Sequence, residues 1–289
     1  MTDITPGLFQ KIKNDFNTRF SKSQKIKELY LKINNGVATY KEAQEFAVES
    51  GKILSEALQG NLSSSILPDG RLYYNIADRI LRPMLENNYE LISDVSVRVQ
   101  TILNKKSNIG IKAIKPEMNE DKVQGIIDIV SGKEKYDDIA YMVGDPIVNF
   151  SQTIVDDAVK ANADFQWKSG LTPKIIRTSS GKCCEWCDKL AGVYDYEDVK
   201  NTGNNAFKRH KNCICLVEFT VKKNRQNVHS KKTAQEEEIK RRIENSFTQS
   251  KERNKKTKEQ AQALQEKLSK EVKRLSNLKK PKEIKLKGR

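Results

Sequence analysis

The chain has 289 residues, a formal net charge of +15, 31% charged residues and 37% hydrophobic residues. This composition allows one or two domains around a modest core. Nothing in it approaches the ~20 consecutive apolar residues of a membrane helix, so no membrane partner is expected. The opening MTDITPGLFQKIKNDF has no basic stretch followed by an apolar run and a small-residue cleavage site. The expectation is a protein made and kept in a reducing cytoplasm, where clustered cysteines favour metal or redox chemistry over a disulfide framework.

Residues 8–33 read as one helix. Leu8, Ile12, Phe16 and Phe20 recur every four residues, and Ile26, Leu29, Tyr30 and Ile33 continue the stripe until NNG at 34–36 ends it. TYKE at 39–42 has the capping-box pattern, with Thr39 as cap and Glu42 reaching back. A second helix is expected from there to about Leu58, with Phe46, Ile53 and Leu54 inward. Gly60, Pro68 and Gly70 then break the pattern. Helical periodicity resumes over 72–106, with Pro83 as a kink or boundary, and 119–132 reads as a short helix. The stretch 146–165 is a clear helix, with Pro146 in its first turn, Asp145 as cap and Gly170 past its end.

The texture changes after Gly170. PKIIRTSSG reads as a short strand and turn, and CICLVEF alternates, placing Cys213, Cys215, Val217 and Phe219 on one face of a second strand. Between them lie the cysteine loop and a loose Asn/Gly-rich connection. Beyond about residue 230 the chain reads as helical again, with Leu264, Leu268, Val272, Leu275 and Leu278 in one stripe, and 248–260 reads as exposed or linker-like. The resulting fold class is mainly α with a small α+β cysteine/histidine module. It divides into a helical region 1–143, a helix plus Cys/His module 144–228, and a basic tail 229–289. The charge is as uneven as the texture. Residues 221–289 hold 23 Lys+Arg against 9 Asp+Glu, a net +14, whereas the first 220 carry 30 against 29. A basic tail on a neutral body fits contact with a polyanion such as double-stranded DNA through 231–289, or else a solvated helix without a partner.

All five cysteines and one of the two histidines fall in 183–215. The spacing is Cys184-x2-Cys187, twenty-two residues, then His210-x2-Cys213-x-Cys215. A CxxC turn presents two sulfurs to one ion, and Zn²⁺ takes four tetrahedral thiolate or imidazole ligands. A metal would also compensate a small module for its few large apolar residues. The candidate ligands are Cys184, Cys187 and His210, completed by Cys213 or Cys215, with Cys183 as the spare. Three other readings stay open: a redox pair, which expects a βαβ setting; a Cys–His nucleophile and base, which expects a third orienting residue; and structural or disulfide-bonded cysteines. Trp186 is expected to pack beside the knuckle, and Arg177 to make a salt bridge or turn contact. Asp156 and Asp157 point about 100° apart on their helix and do not form a shared acid/base site.

PKIIRTSSGKCCEWCDKLAGVYDY followed by FKRHKNCICLVEF resembles the central signature of phage minor head proteins of the Mu protein F type, most like those of Gram-positive hosts. With the helix leading into it, the resemblance covers about 144–228. Many relatives have a proline after the histidine where this chain has Lys211. The resemblance implies a minor capsid or head-morphogenesis protein rather than an enzyme. It implies portal and capsid proteins as partners, and a place in the virion at the capsid interior or portal vertex. A zinc-containing nucleic-acid-binding protein or a nuclease-like enzyme is the alternative. A nuclease would want a further His/Asn/Asp cluster, and only His229 is left for it.

Overall fold

A computed structural model describes residues 3–132, 134–179, 184–201, 205–210 and 213–222. The basic tail, its predicted leucine stripe, His229 and Cys183 lie outside the described residues.

The apolar stripe of 8–33 folds as two helices, α1 (Thr5–Lys22) and α2 (Gln24–Asn34). Ser23 separates them: its backbone is extended, and its hydroxyl accepts from the Ile26 N–H to cap α2. Gly36, at φ +68, turns the chain after α2. The predicted capping box opens α3 (Tyr40–Gln59). The Thr39 N–H and hydroxyl both donate to Glu42, at 2.9 and 2.7 Å, and the hydroxyl accepts from the Lys41 N–H. After a 3-10 turn at Pro68–Gly70, α4 runs unbroken from Tyr74 to Lys106 with Pro83 inside it, so Pro83 is not a boundary. The helix α5 (Glu120–Val130) buries Val123, Ile126, Ile127 and Val130. A short α6 (Tyr136–Ile139) and a 3-10 turn at Ala140–Val143 lead into α7 (Asp145–Lys168). Gly144, not Asp145, is the residue before the first turn of α7.

The helix α3 is central and touches α1, α2, α4 and α7. Its crossing with α7 is close: a Cβ on Gly51 would lie 2.6 Å from the Ser151 hydroxyl. Buried polar groups fix the register of the three long helices. Ser50 donates to Asn88 (2.6 Å), which donates to Ser151 (2.7 Å). Tyr40 donates to Gln100, Gln100 donates to Asn104, and Gln166 of α7 meets Asn104 at 3.0 Å. Among apolar neighbours these hydrogen bonds form only when the helices sit in one relative position.

Gly170, at φ +83, ends α7; its N–H bonds the Trp167 carbonyl and the next N–H bonds that of Gln166. The chain then reverses into β1 (Thr172–Thr178). The cysteine loop contains α8 (Glu185–Lys189) and leads to a strand β2 (Gly192–Asp195), and the connection read as loose opens with α9 (Tyr196–Val199). The last strand, β3, is Leu216–Lys222, so Cys213 and Cys215 precede it, although the alternation of buried and exposed residues already runs through them. The sheet is antiparallel with order β2-β1-β3. Ile175 pairs with Phe219, and Arg177 pairs with Val217. Pro173, Ile175 and Arg177 form the buried face of β1, and Phe219 stacks near Tyr40 at the start of α3. The sheet contacts α3 and α7 directly, so segments 1–143 and 144–222 share one core within a single compact unit. Among the described residues no helix is long and apolar enough to cross a membrane.

Candidate metal centre

The predicted ligands converge where the apolar face of the sheet ends. Cys184 precedes α8, Cys187 lies inside it, and the chain returns through His210 and Cys213 to Cys215. The Sγ atoms of Cys184 and Cys187 lie 3.2 and 2.9 Å from His210 Nε2, and Cys187 Sγ lies 3.7 Å from Cys213 Sγ. Two triads result, Cys184–Cys187–His210 and Cys187–Cys213–Cys215, each with its ligand atoms within 4.8 Å of one another. Cys187 belongs to both. Cys187, Cys213 and Cys215 are buried, and Cys184 is exposed.

These separations suit a small tetrahedral ion. Bonds of about 2.3 Å to sulfur and 2.0–2.1 Å to nitrogen place neighbouring sulfurs about 3.8 Å apart, and sulfur and nitrogen about 3.5 Å apart. The Cys187–Cys213 spacing matches; the two sulfur–imidazole spacings are tighter, by roughly 0.3 and 0.6 Å, and would have to open around an ion. Donors of this type favour Zn²⁺. The cluster of Cys184, Cys187, His210, Cys213 and Cys215 could therefore hold a metal, its donors falling into two triads that share Cys187. The βαβ setting of a thioredoxin-like pair differs from what surrounds Cys184 and Cys187, since β1 is antiparallel to both neighbours.

The candidate ligands are surrounded by Arg177 and Trp186, which the sequence singles out, and by Arg209, Asn149 and Gln152, which it does not. Arg177 is 2% exposed. Its Nη1 donates to the carbonyls of Ala206 and Lys208, both at 2.8 Å, and its Nη2 lies 3.7 Å from both Cys187 and Cys213 Sγ. Trp186 packs beside the knuckle as expected, edge-on to His210 with centroids 5.6 Å apart, and the Arg177 guanidinium lies over its ring. Arg209 forms a buried two-point pair with Asp156 of α7, at 2.5 and 2.8 Å, and its Nη1 reaches the Cys215 carbonyl and Cys213 Sγ. Two more α7 side chains grip the same loop: Asn149 donates to the His210 carbonyl and Gln152 to the Cys213 carbonyl, both at 3.0 Å. Asn149, Gln152 and Asp156 are spaced i, i+3 and i+7, one helix face.

The three buried thiols differ. Burial, reinforced by the neighbouring Cys215 and Cys213, pushes the Cys187 thiol far up, and burial also raises Cys215. Burial acts on Cys213 too, but the backbone N–H of Cys215 and the Arg209 guanidinium outweigh it and leave Cys213 below its ordinary value. No family model, curated protein or solved structure matches this chain.

Proposed function

We propose that the chain is a structural virion protein, a minor capsid or head-morphogenesis component associated with the portal, in which a zinc-stapled module fastens a small sheet to a helical body. One observation carries this reading. The residues that bear the resemblance to minor head proteins of the Mu F type, namely Arg177, the CxxC pair and the HxxCxC run, meet in one cluster. That cluster ties three chain segments to each other and to α7. A structural zinc site takes all its ligands from protein, and this cluster supplies at least four candidates. Cys184, Cys187 and His210 would hold the ion with Cys213 or Cys215, and the ion would fasten the end of the sheet where its apolar face gives way to sulfur. The partners are portal and capsid proteins, at the capsid interior or portal vertex. The basic segment 231–289 supplies contact with double-stranded DNA or with an acidic partner surface, since residues 221–289 carry a net +14.

Mass spectrometry of purified particles, together with co-purification against co-expressed portal protein, tests this. The expected result is the chain present in particles at low copy and retained by the portal; a chain missing from particles overturns the reading. DNA binding by the full chain and by a chain ending at Arg225, at low and moderate salt, separates the two roles of the tail. Loss of salt-sensitive binding on truncation supports DNA contact. The absence of binding by both transfers the tail to a protein partner and favours neither the nucleic-acid-binding nor the nuclease-like alternative.

A further inference from the structure

We propose that Arg177, together with Arg209, selects Cys213 as the third thiolate of the metal centre and holds a Cys3His site electrically neutral. This inference rests on the metal reading above and goes beyond it by naming the fourth ligand and the residues that choose it.

Arg177 touches every segment that supplies a ligand. It stands at the end of the buried face of β1, two residues beyond Ile175, where the apolar core gives way to sulfur. One nitrogen holds the carbonyls of Ala206 and Lys208, the chain just before His210. The other faces Cys187 and Cys213 at equal distance, 3.7 Å. Its plane lies over Trp186, the residue before Cys187. A single planar fork thus sets the spacing of the α8 sulfur, the His210 loop and the Cys213 sulfur, a task that a flexible ammonium cannot perform. Among the described cysteines, Cys213 Sγ has a guanidinium nitrogen of each arginine within 4 Å, at 3.7 Å from Arg177 and 3.8 Å from Arg209. Among the described residues it is therefore the sulfur best placed to be a thiolate.

Charge counting agrees. A divalent ion, three thiolates and a neutral imidazole leave one negative charge, and buried Asp156 adds another. Arg177 and Arg209 cancel both. Replacing His210 with a fourth thiolate would leave a negative charge uncompensated in a buried site, which is costly. The account therefore predicts Cys184, Cys187, His210 and Cys213 as ligands, with Cys215 as a protonated neighbour.

Full-length wild type, Arg177→Met, Arg177→Lys, Cys213→Ser and Cys215→Ser are titrated with Co²⁺, then Zn²⁺, against a chromogenic chelator. Thiolate-to-cobalt bands report the number of sulfurs, and circular dichroism reports folding. Wild type should bind one ion with a three-thiolate spectrum. Arg177→Met should weaken binding by about 10–100-fold, the usual effect of losing a residue that orients ligands, and Arg177→Lys should weaken it less. Cys213→Ser should weaken binding more than Cys215→Ser. Wild-type affinity in Arg177→Met, even with a lowered melting temperature in chelator, assigns Arg177 a packing role only and overturns the proposal, as does the reverse order for the two cysteines. If Arg177→Met does not fold, wild-type affinity in Arg177→Lys overturns it instead. A wild type that binds neither ion overturns the metal reading and this inference together, an outcome distinct from the others.

Discussion

Asp156 and Arg209 show how much single side chains carry at this site. Both side chains are almost fully buried, at 1% and 2% exposure, and they are paired at two points. Removing one partner of such a pair leaves a buried charge uncompensated, at a cost of about 3–5 kcal/mol. Asp156→Ala should lose that much in denaturant unfolding, while Asp157→Ala, next door with a half-buried carboxylate 3.6 Å from Lys122, should lose far less; equal losses would mean that the pair does not anchor the loop. None of this was visible locally. Arg177 reaches partners ten to 36 residues away along the chain, so its place in the quoted signature does not say what it touches. The CxxC and HxxCxC runs could be read because metal chemistry imposes short spacings between neighbouring ligands. The residues that orient those ligands are brought in by tertiary folding and follow no such rule.

At the scale of elements, local signals were reliable and interrupted ones were not. Thr39 and Glu42 were identified as a capping box because both donors and both acceptors lie within four residues. Partial burial opposes the Glu42 charge, but hydrogen bonds from the Thr39 hydroxyl and N–H and from Lys32 outweigh it and hold the carboxyl below its ordinary value. Its contribution is therefore complete above the ordinary glutamate range and disappears as pH falls through the lowered value. Glu42→Gln should be less stable than wild type at neutral pH, and the gap in melting temperature should close on acidification; a gap that widens in acid would refute the assignment. The break at Ser23 was hidden because the apolar stripe keeps its period from Leu8 to Ile33 across it. β2 was missed because four residues, GVYD, are too few to show alternation. Gly170 was placed correctly, and its positive φ has a measurable consequence. A Cβ there meets nothing within 4 Å, so Gly170→Ala should lose only the left-handed backbone penalty, about 1–2 kcal/mol. A loss well above that would point to a packing role for the turn.

Taken whole, the described chain is a helical body with a sheet fastened to it at two kinds of contact. One is apolar: Ile175, Val217 and Phe219 against α3 and α7. It depends on the close α3–α7 crossing, where a Cβ on Gly51 would meet Ser151 Oγ at 2.6 Å and Val148 Cα at 3.0 Å. Gly51→Ala should therefore destabilise the protein by about 1–3 kcal/mol, the usual effect of overpacking; a neutral substitution would show the crossing to be looser. The other contact is the Cys/His cluster, gripped by Asn149, Gln152 and Asp156 along one face of α7. If a metal completes it, part of the folding free energy is metal-binding free energy, because the unfolded chain has no preformed site. The most direct measurement is elemental analysis of the full-length protein prepared under reducing conditions, paired with thermal unfolding before and after a strong chelator. The account predicts about one zinc per chain and a melting temperature that falls on chelation and recovers when Zn²⁺ is restored. A metal-free protein whose melting is indifferent to chelator and to added Zn²⁺ would contradict it.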